Sequence, residues 1–156
     1  MTLKIGDNAP MFTLPDSNKN MVSLESYKGK NVVLLFFPAA FTGVCTKEMA
    51  VCTNEFSFYQ NMNAELLALS VDMPFSLAKF KELNNYSFPL LSDFNKETIA
   101  KYGVMYESWS VGLRGVAKRS VFIIDKDGII RHVEILENAG DMPNFDSVKQ
   151  VLQTLK

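Results

Sequence analysis

Residues 31–52 read NVVLLFFPAAFTGVCTKEMAVC, and this stretch decides the fold. After Asn31 comes an unbroken apolar run, rich in β-branched and aromatic side chains. Such a run suits a strand buried on both faces. Pro38 stops it, because proline has no N–H to give to a ladder. From Cys45 onward, Cys45, Met49, Cys52, Phe56 and Tyr59 recur at spacings of four, three, four and three, the stripe of one helix face. The order is strand, loop, helix, and the loop PAAFTG opens at the carboxyl end of a buried strand. Open α/β sheets bind their ligands at that end. Both cysteines of the chain fall in this one segment.

Reading outward, AELLALSVD is a second buried strand, FPLLSD a short third and SVFIID a fourth. GIIRHVEIL reads as a fifth, joined to the fourth by the hairpin punctuation DKDG. Helical segments fall between. Asp72, with Pro74 two residues on, marks a helix start before PFSLAKFKELNN. NKETIAKYG is a short helix closed by Gly103, and FDSVKQVLQTLK is amphipathic. Ahead of the first strand, MVSLESYKGKN holds a turn or short helix. Parallel crossovers first and an antiparallel hairpin later imply an α/β protein with a mixed central sheet flanked by helices. A thioredoxin-like fold with an N-terminal extension fits this order. The length of 156 residues suits one domain, spanning 1–156.

Composition narrows the function classes. Sixteen basic residues face 17 acidic ones, so nothing implies a general attraction to nucleic acid or to anionic lipid. The opening MTLKIGDNAPMFTLPD lacks an apolar run of signal-peptide length, and no later stretch is long enough to span a bilayer. The expectation is a cytoplasmic protein that binds no membrane. In that reducing compartment a cysteine pair is catalytic or redox-responsive more often than a structural staple. Two cysteines and the lone His132 are too few for a structural zinc site, and no cofactor is expected. His132, on a strand beside Arg131, reads as a surface residue.

Thr42 is a good N-cap residue, which puts Cys45 at the third helical position. A thiol there meets unpaired backbone N–H groups and the positive end of the helix dipole, and both favour the thiolate. Pro38 can shape a rigid, partly dry wall beside it. On position alone, a buried core cysteine fits the same stripe equally well.

The residues also carry a resemblance. Pro38-x-x-x-Thr42-x-x-Cys45 resembles the active-site motif of the peroxiredoxins, and Glu48 fits its extension Cys-x-x-Glu. RSVFIID matches the family's arginine at the opening of a later strand, which makes it Arg119. FFPAAFTGVCTKE, SVDMPFSLAKF, FPLLSDFNKE and GVAKRSVFIIDKDGIIR resemble the bacterial branch named for alkyl hydroperoxide reductase E. The resemblance implies a thiol-dependent peroxidase that reduces hydrogen peroxide, organic hydroperoxides or peroxynitrite through a sulfenic acid on Cys45. It implies Thr42 and the Cys45 N–H as groups that orient the peroxide, and Arg119 as fixed positive charge beside the sulfur. Glu48, one turn after Cys45, then holds Arg119 by a charge-assisted pair. Without the resemblance, Glu48 reads as a solvated helix residue and Arg119 as a charge that keeps a strand edge soluble.

Cys52 is the only other sulfur that could clear a sulfenic acid within the chain. Two helical turns separate it from Cys45, roughly 10 Å along the axis, whereas a disulfide needs α-carbons within about 7 Å. Resolving peroxiredoxins carry a second cysteine five residues after the first or in a C-terminal tail; here the fifth position is Ala50, and no tail cysteine follows. The expectation is a one-cysteine mechanism recycled by an external thiol of thioredoxin, glutaredoxin or low-molecular-weight type. Cys52 is then either a core residue on the stripe with Met49 and Phe56 or a resolving residue reached by unwinding or across a dimer.

VMYESWSVGL, with Tyr106 and Trp109, is an aromatic-rich loop that can pack in the core, line the peroxide approach, or join Phe41 in a subunit contact. The resemblance implies a homodimer. A thiol–disulfide oxidoreductase on the same fold would use CxxC, which the chain lacks. A peroxide-sensing switch or chaperone-like protein would need the same activated thiol, and repeated turnover separates it from an enzyme.

Overall fold

The computed structural model describes residues 2–155. Two short strands, β1 (Thr13–Pro15) and β2 (Met21–Ser23), form a separate antiparallel ribbon in the N-terminal extension. One 3₁₀ turn at Leu24–Tyr27 leads into the main sheet. Its strands are β3 (Asn31–Phe36), β4 (Ala64–Ser70), β5 (Leu90–Ser92), β6 (Ser120–Ile124) and β7 (Ile130–Ile135). Their spatial order is β5-β4-β3-β6-β7. The first three run parallel, while β6 lies antiparallel to β3 and β7 antiparallel to β6. This is the mixed sheet expected from the sequence. All six residues of β3 are buried, because it is the central strand with a strand on each side and a layer on each face.

Alternation along the strands supplies two cores. On one face Val33, Leu35, Leu66, Ala68, Val121 and Ile123 pack with side chains of α1 (Gly43–Asn54), α2 (Phe56–Asn61), α3 (Pro74–Asn84) and α5 (Phe145–Thr154). On the other, Val32, Leu34, Phe36, Leu67, Leu69 and Phe122 meet α4 (Glu97–Lys101) and Ala9, Phe12 and Leu24 of the extension. Tyr102 bridges to the extension, its hydroxyl donating to the Pro10 carbonyl at 2.8 Å. Among the described residues, no helix is long and apolar enough to cross a membrane.

Three expectations need correction. The stripe from Cys45 to Tyr59 is not one helix: the chain leaves helical geometry at Glu55 (φ −106°, ψ 16°), and α2 starts afresh at Phe56. Val51, Thr53 and Asn54 close α1 with residues of low helix propensity, so the break falls there. Asp72 does not cap α3; Met73 holds the N-cap position without a side-chain bond, and the Asp72 carboxylate turns toward the loop after β3. His132 is half-buried rather than fully at the surface, and its Nε2 is enclosed without a partner among the described groups. Burial lowers its basicity below the ordinary histidine range. Gly103 does close α4 as expected, at φ 69°.

Candidate active site

The loop after β3 leaves the sheet between parallel β4 and antiparallel β6 and enters α1 with Thr42 at the N-cap, so Cys45 is the third residue of the helix. The cap is made by backbone geometry alone. The Thr42 hydroxyl accepts from no helix N–H; it donates to the Ala39 carbonyl at 2.8 Å. Phe41, between them, holds a left-handed φ of 67°. Pro38 is buried at the base of the loop.

The Cys45 sulfur is fully buried, and Arg119 Nη2 donates to it at 3.2 Å. Arg119 stands immediately before β6, the strand antiparallel to β3, so the sheet itself carries it to the end where α1 begins. Its guanidinium is almost wholly enclosed, and each of its three nitrogens donates to a partner. Nη1 donates to Glu48 Oε2 at 2.5 Å, while Nε and Nη2 donate to the Ala139 carbonyl at 3.1 and 3.0 Å. Glu48 is therefore no solvated helix residue: it is fully buried, one turn beyond Cys45, and bound to Arg119. Its second oxygen, Oε1, has no partner among the described groups. Burial pushes the Glu48 carboxyl up to about 7, with the Arg119 guanidinium pulling the other way.

A cavity of about 570 Å³ opens onto this cluster, with Thr42, Val44, Tyr106, Trp109, Arg119 and Ala139 among its walls. The aromatic loop thus stands at the mouth of the site. Tyr106 is also structural, its hydroxyl donating to the Leu136 and Glu137 carbonyls at 3.3 and 3.2 Å. Phe41 remains exposed, its ring tilted at 58° to that of Phe80 with centroids 5.1 Å apart. The structure brings Thr42, Cys45, Glu48 and Arg119 together around the base of the loop and leaves Cys52 apart. Cys52 is fully buried two turns further along α1, among the side chains of the α1 face, and burial holds its thiol well above the ordinary cysteine range. Both cysteines are free. The Ala139 carbonyl was beyond sequence reasoning, since a backbone oxygen leaves no residue signature. Asp72 leaves one, in SVDMP, but by local pattern alone it marks a helix start.

A helix-terminal cysteine beside a buried arginine, at the carboxyl end of a mixed sheet, defines a class: the thiol-dependent peroxidases on a thioredoxin-like scaffold. The comparisons agree. The AhpC/TSA family profile matches residues 5–133, and the chain belongs to that family. Alkyl hydroperoxide reductase E of Mycobacterium tuberculosis is 39% identical over 136 residues, covering 85% of this chain and 86% of the relative. A chloroplastic 2-cysteine peroxiredoxin of Chattonella marina var. antiqua is 34% identical, covering 100% of this chain and 82% of the relative. Among solved structures, Peroxidoxin BcpB from Mycobacterium tuberculosis superposes with a TM-score of 0.87 at 30% identity, covering 99% of both chains. The protein is a peroxiredoxin, a thiol-dependent hydroperoxide reductase.

Proposed function

We propose that Cys45 is the nucleophile of a one-cysteine peroxidase that reduces hydrogen peroxide and organic hydroperoxides at the expense of an external thiol. The observation that carries this reading is the 3.2 Å contact from Arg119 Nη2 to Cys45 Sγ at the start of α1. The fixed guanidinium and the helix terminus both stabilise the thiolate. Its sulfur lone pair attacks the distal peroxide oxygen, the O–O bond breaks, and the departing oxygen takes a proton to leave as water or an alcohol. Sulfur is oxidised by two electrons to sulfenic acid. Donors fixed where negative charge develops are the largest contribution protein groups make to such a step, and Arg119 and the Cys45 N–H serve here. Thr42 orients the peroxide, Glu48 holds Arg119, and Pro38 walls the sulfur from water. One external thiol then condenses with the sulfenic acid, releasing water, and a second displaces it as a disulfide, returning the Cys45 thiol.

Cys52 stays a core residue in this cycle. Its burial and its distance of two helical turns favour an external reductant over an internal disulfide. The whole chain, 1–156, acts as one domain in the cytoplasm and pairs as a homodimer through the exposed apolar side chains near the site, Phe41, Val111 and Leu113. A monomeric mass at micromolar concentration in sedimentation would count against the dimer.

The test of function is stopped-flow fluorescence of the reduced protein mixed with hydrogen peroxide, with Trp109 at the cavity wall as reporter. Wild type and Cys52→Ser should oxidise fast and cycle many times with an external thiol, while Cys45→Ser should do neither. A single oxidation without turnover, whatever thiol is supplied, would point to a redox switch instead.

A further inference from the structure

We propose that Asp72 is a positioning residue for peroxide reduction: it holds the Ala39–Ala40 peptide and, through it, the orientation of the Thr42 hydroxyl. The inference rests on the roles given above to Cys45 and Thr42. Asp72 follows β4, which runs parallel to β3, so both strands deliver their carboxyl ends at the same edge of the sheet. Asp72 Oδ2 accepts from the Ala40 N–H at 2.8 Å and from Ser70 Oγ at 2.6 Å. Its own N–H donates to Ser70 Oγ at 3.2 Å, and its carbonyl accepts from Ser92 Oγ, at the end of β5, at 2.6 Å. Asp72 is thus fastened to two strands and reaches the nucleophile loop at one point. It is free to do so because α3 is capped without it.

That point matters because the same peptide is gripped from its other end. Its carbonyl, Ala39 O, accepts from Thr42 Oγ1 at 2.8 Å. With its proton committed to Ala39, the Thr42 hydroxyl is left as an acceptor. A hydroperoxide carries its proton on the distal oxygen, so an acceptor at Thr42 fixes the oxygen that the sulfur must attack. If the peptide turned, the Thr42 hydroxyl would lose its anchor and rotate. Phe41, next in the chain, sits at φ 67°, a backbone state that costs a residue with a Cβ and persists only when its neighbours are held. The Asp72–Ala40 bond is such a hold.

The experiment is a double-mutant cycle on the rate of Cys45 oxidation by hydrogen peroxide, using Asp72→Ala, Thr42→Val and their combination, with Asp72→Asn as the conservative variant. Asp72→Ala should slow oxidation on the order of tenfold or more, the scale of a small misplacement at a reacting centre. Asp72→Asn keeps an oxygen for the Ala40 N–H and should retain most of the rate. In the Thr42→Val background, Asp72→Ala should add little, because residues acting through one another are not additive. The proposal is overturned if Asp72→Ala oxidises at the wild-type rate, or if its full loss persists without the Thr42 hydroxyl. Should Asp72→Ala fail to fold, Asp72→Glu, which displaces the acceptor by one methylene, carries the same cycle. A Cys45→Ser protein that oxidises like wild type would instead overturn the underlying reading of the site.

Discussion

Arg119 Nη2 lies 3.2 Å from Cys45 Sγ, although 74 residues separate the two in the chain. The pairing of β6 with β3 makes this contact possible, placing Arg119 beside the first turn of α1. Glu48 and the Ala139 carbonyl then fix the plane of the guanidinium. An ammonium could supply the charge but not three directed contacts at once.

Arg119→Met should therefore slow peroxide oxidation by about 10²–10³-fold, the cost of removing one preorganised donor from developing negative charge. It should also destabilise the fold by about 1–3 kcal/mol, because Glu48 loses its partner and is left as a buried, protonated carboxyl without its hydrogen bond. Adding Glu48→Gln should recover much of the stability and none of the rate. Urea denaturation and stopped-flow fluorescence read the two separately; recovery of both together would sink the assignment.

Replacing Cys52 by alanine should leave oxidation and thiol-dependent turnover unchanged while lowering stability by about 1 kcal/mol, a typical cost for a core truncation. Mass spectrometry of peroxide-treated wild type should find no major Cys45–Cys52 linkage. A dominant linkage would replace the one-cysteine cycle with one that unwinds α1.

Glu48 should impose a pH dependence on stability. Its carboxyl titrates at about 7 in the fold against an ordinary value of 4.5. Between those values the folded state holds a proton that the unfolded chain has released, so stability falls as pH rises. The contribution is fully present below about 4.5 and lost as pH passes through about 7. Measured by urea titration at stepped pH, Glu48→Gln should gain on wild type across that window and run parallel above it. Parallel curves throughout would mean that Arg119 holds the carboxylate ionised.

Tyr106→Phe should cost about 1 kcal/mol, the net worth of an ordinary hydrogen bond. It should also slow oxidation, since the Leu136 and Glu137 carbonyls anchored by its hydroxyl lie just before Ala139, which grips Arg119. Loss of stability with an unaltered rate would make Tyr106 a structural residue only.

Local chemistry was written in the chain. The apolar run of β3, the proline that ends it, and Thr42 ahead of Cys45 each follow from what a few consecutive side chains can do, so strand, loop and helix start were legible. The order of strands and helices, with one hairpin late, gave the mixed sheet. Less was legible where the outcome depended on partners far away. The stripe through Phe56 and Tyr59 kept its period across a break at Glu55, because two successive helices can bury one continuous face against the sheet. Asp72 looked like a cap because capping is a local preference, yet the bond it makes is to Ala40 on the neighbouring strand's loop.

By itself the sequence determined the period of each element, the place of the nucleophile at a helix start, and which residue types could serve it, since these depend on side chains within a turn or two of one another. Only the tertiary structure decided that the Glu48–Arg119 pair, which the resemblance implied, is fully buried, that a backbone carbonyl at Ala139 aims the guanidinium, and that Cys52 is sealed in the core. Those facts come from strand order and layer packing, which set distances between segments that no local pattern encodes.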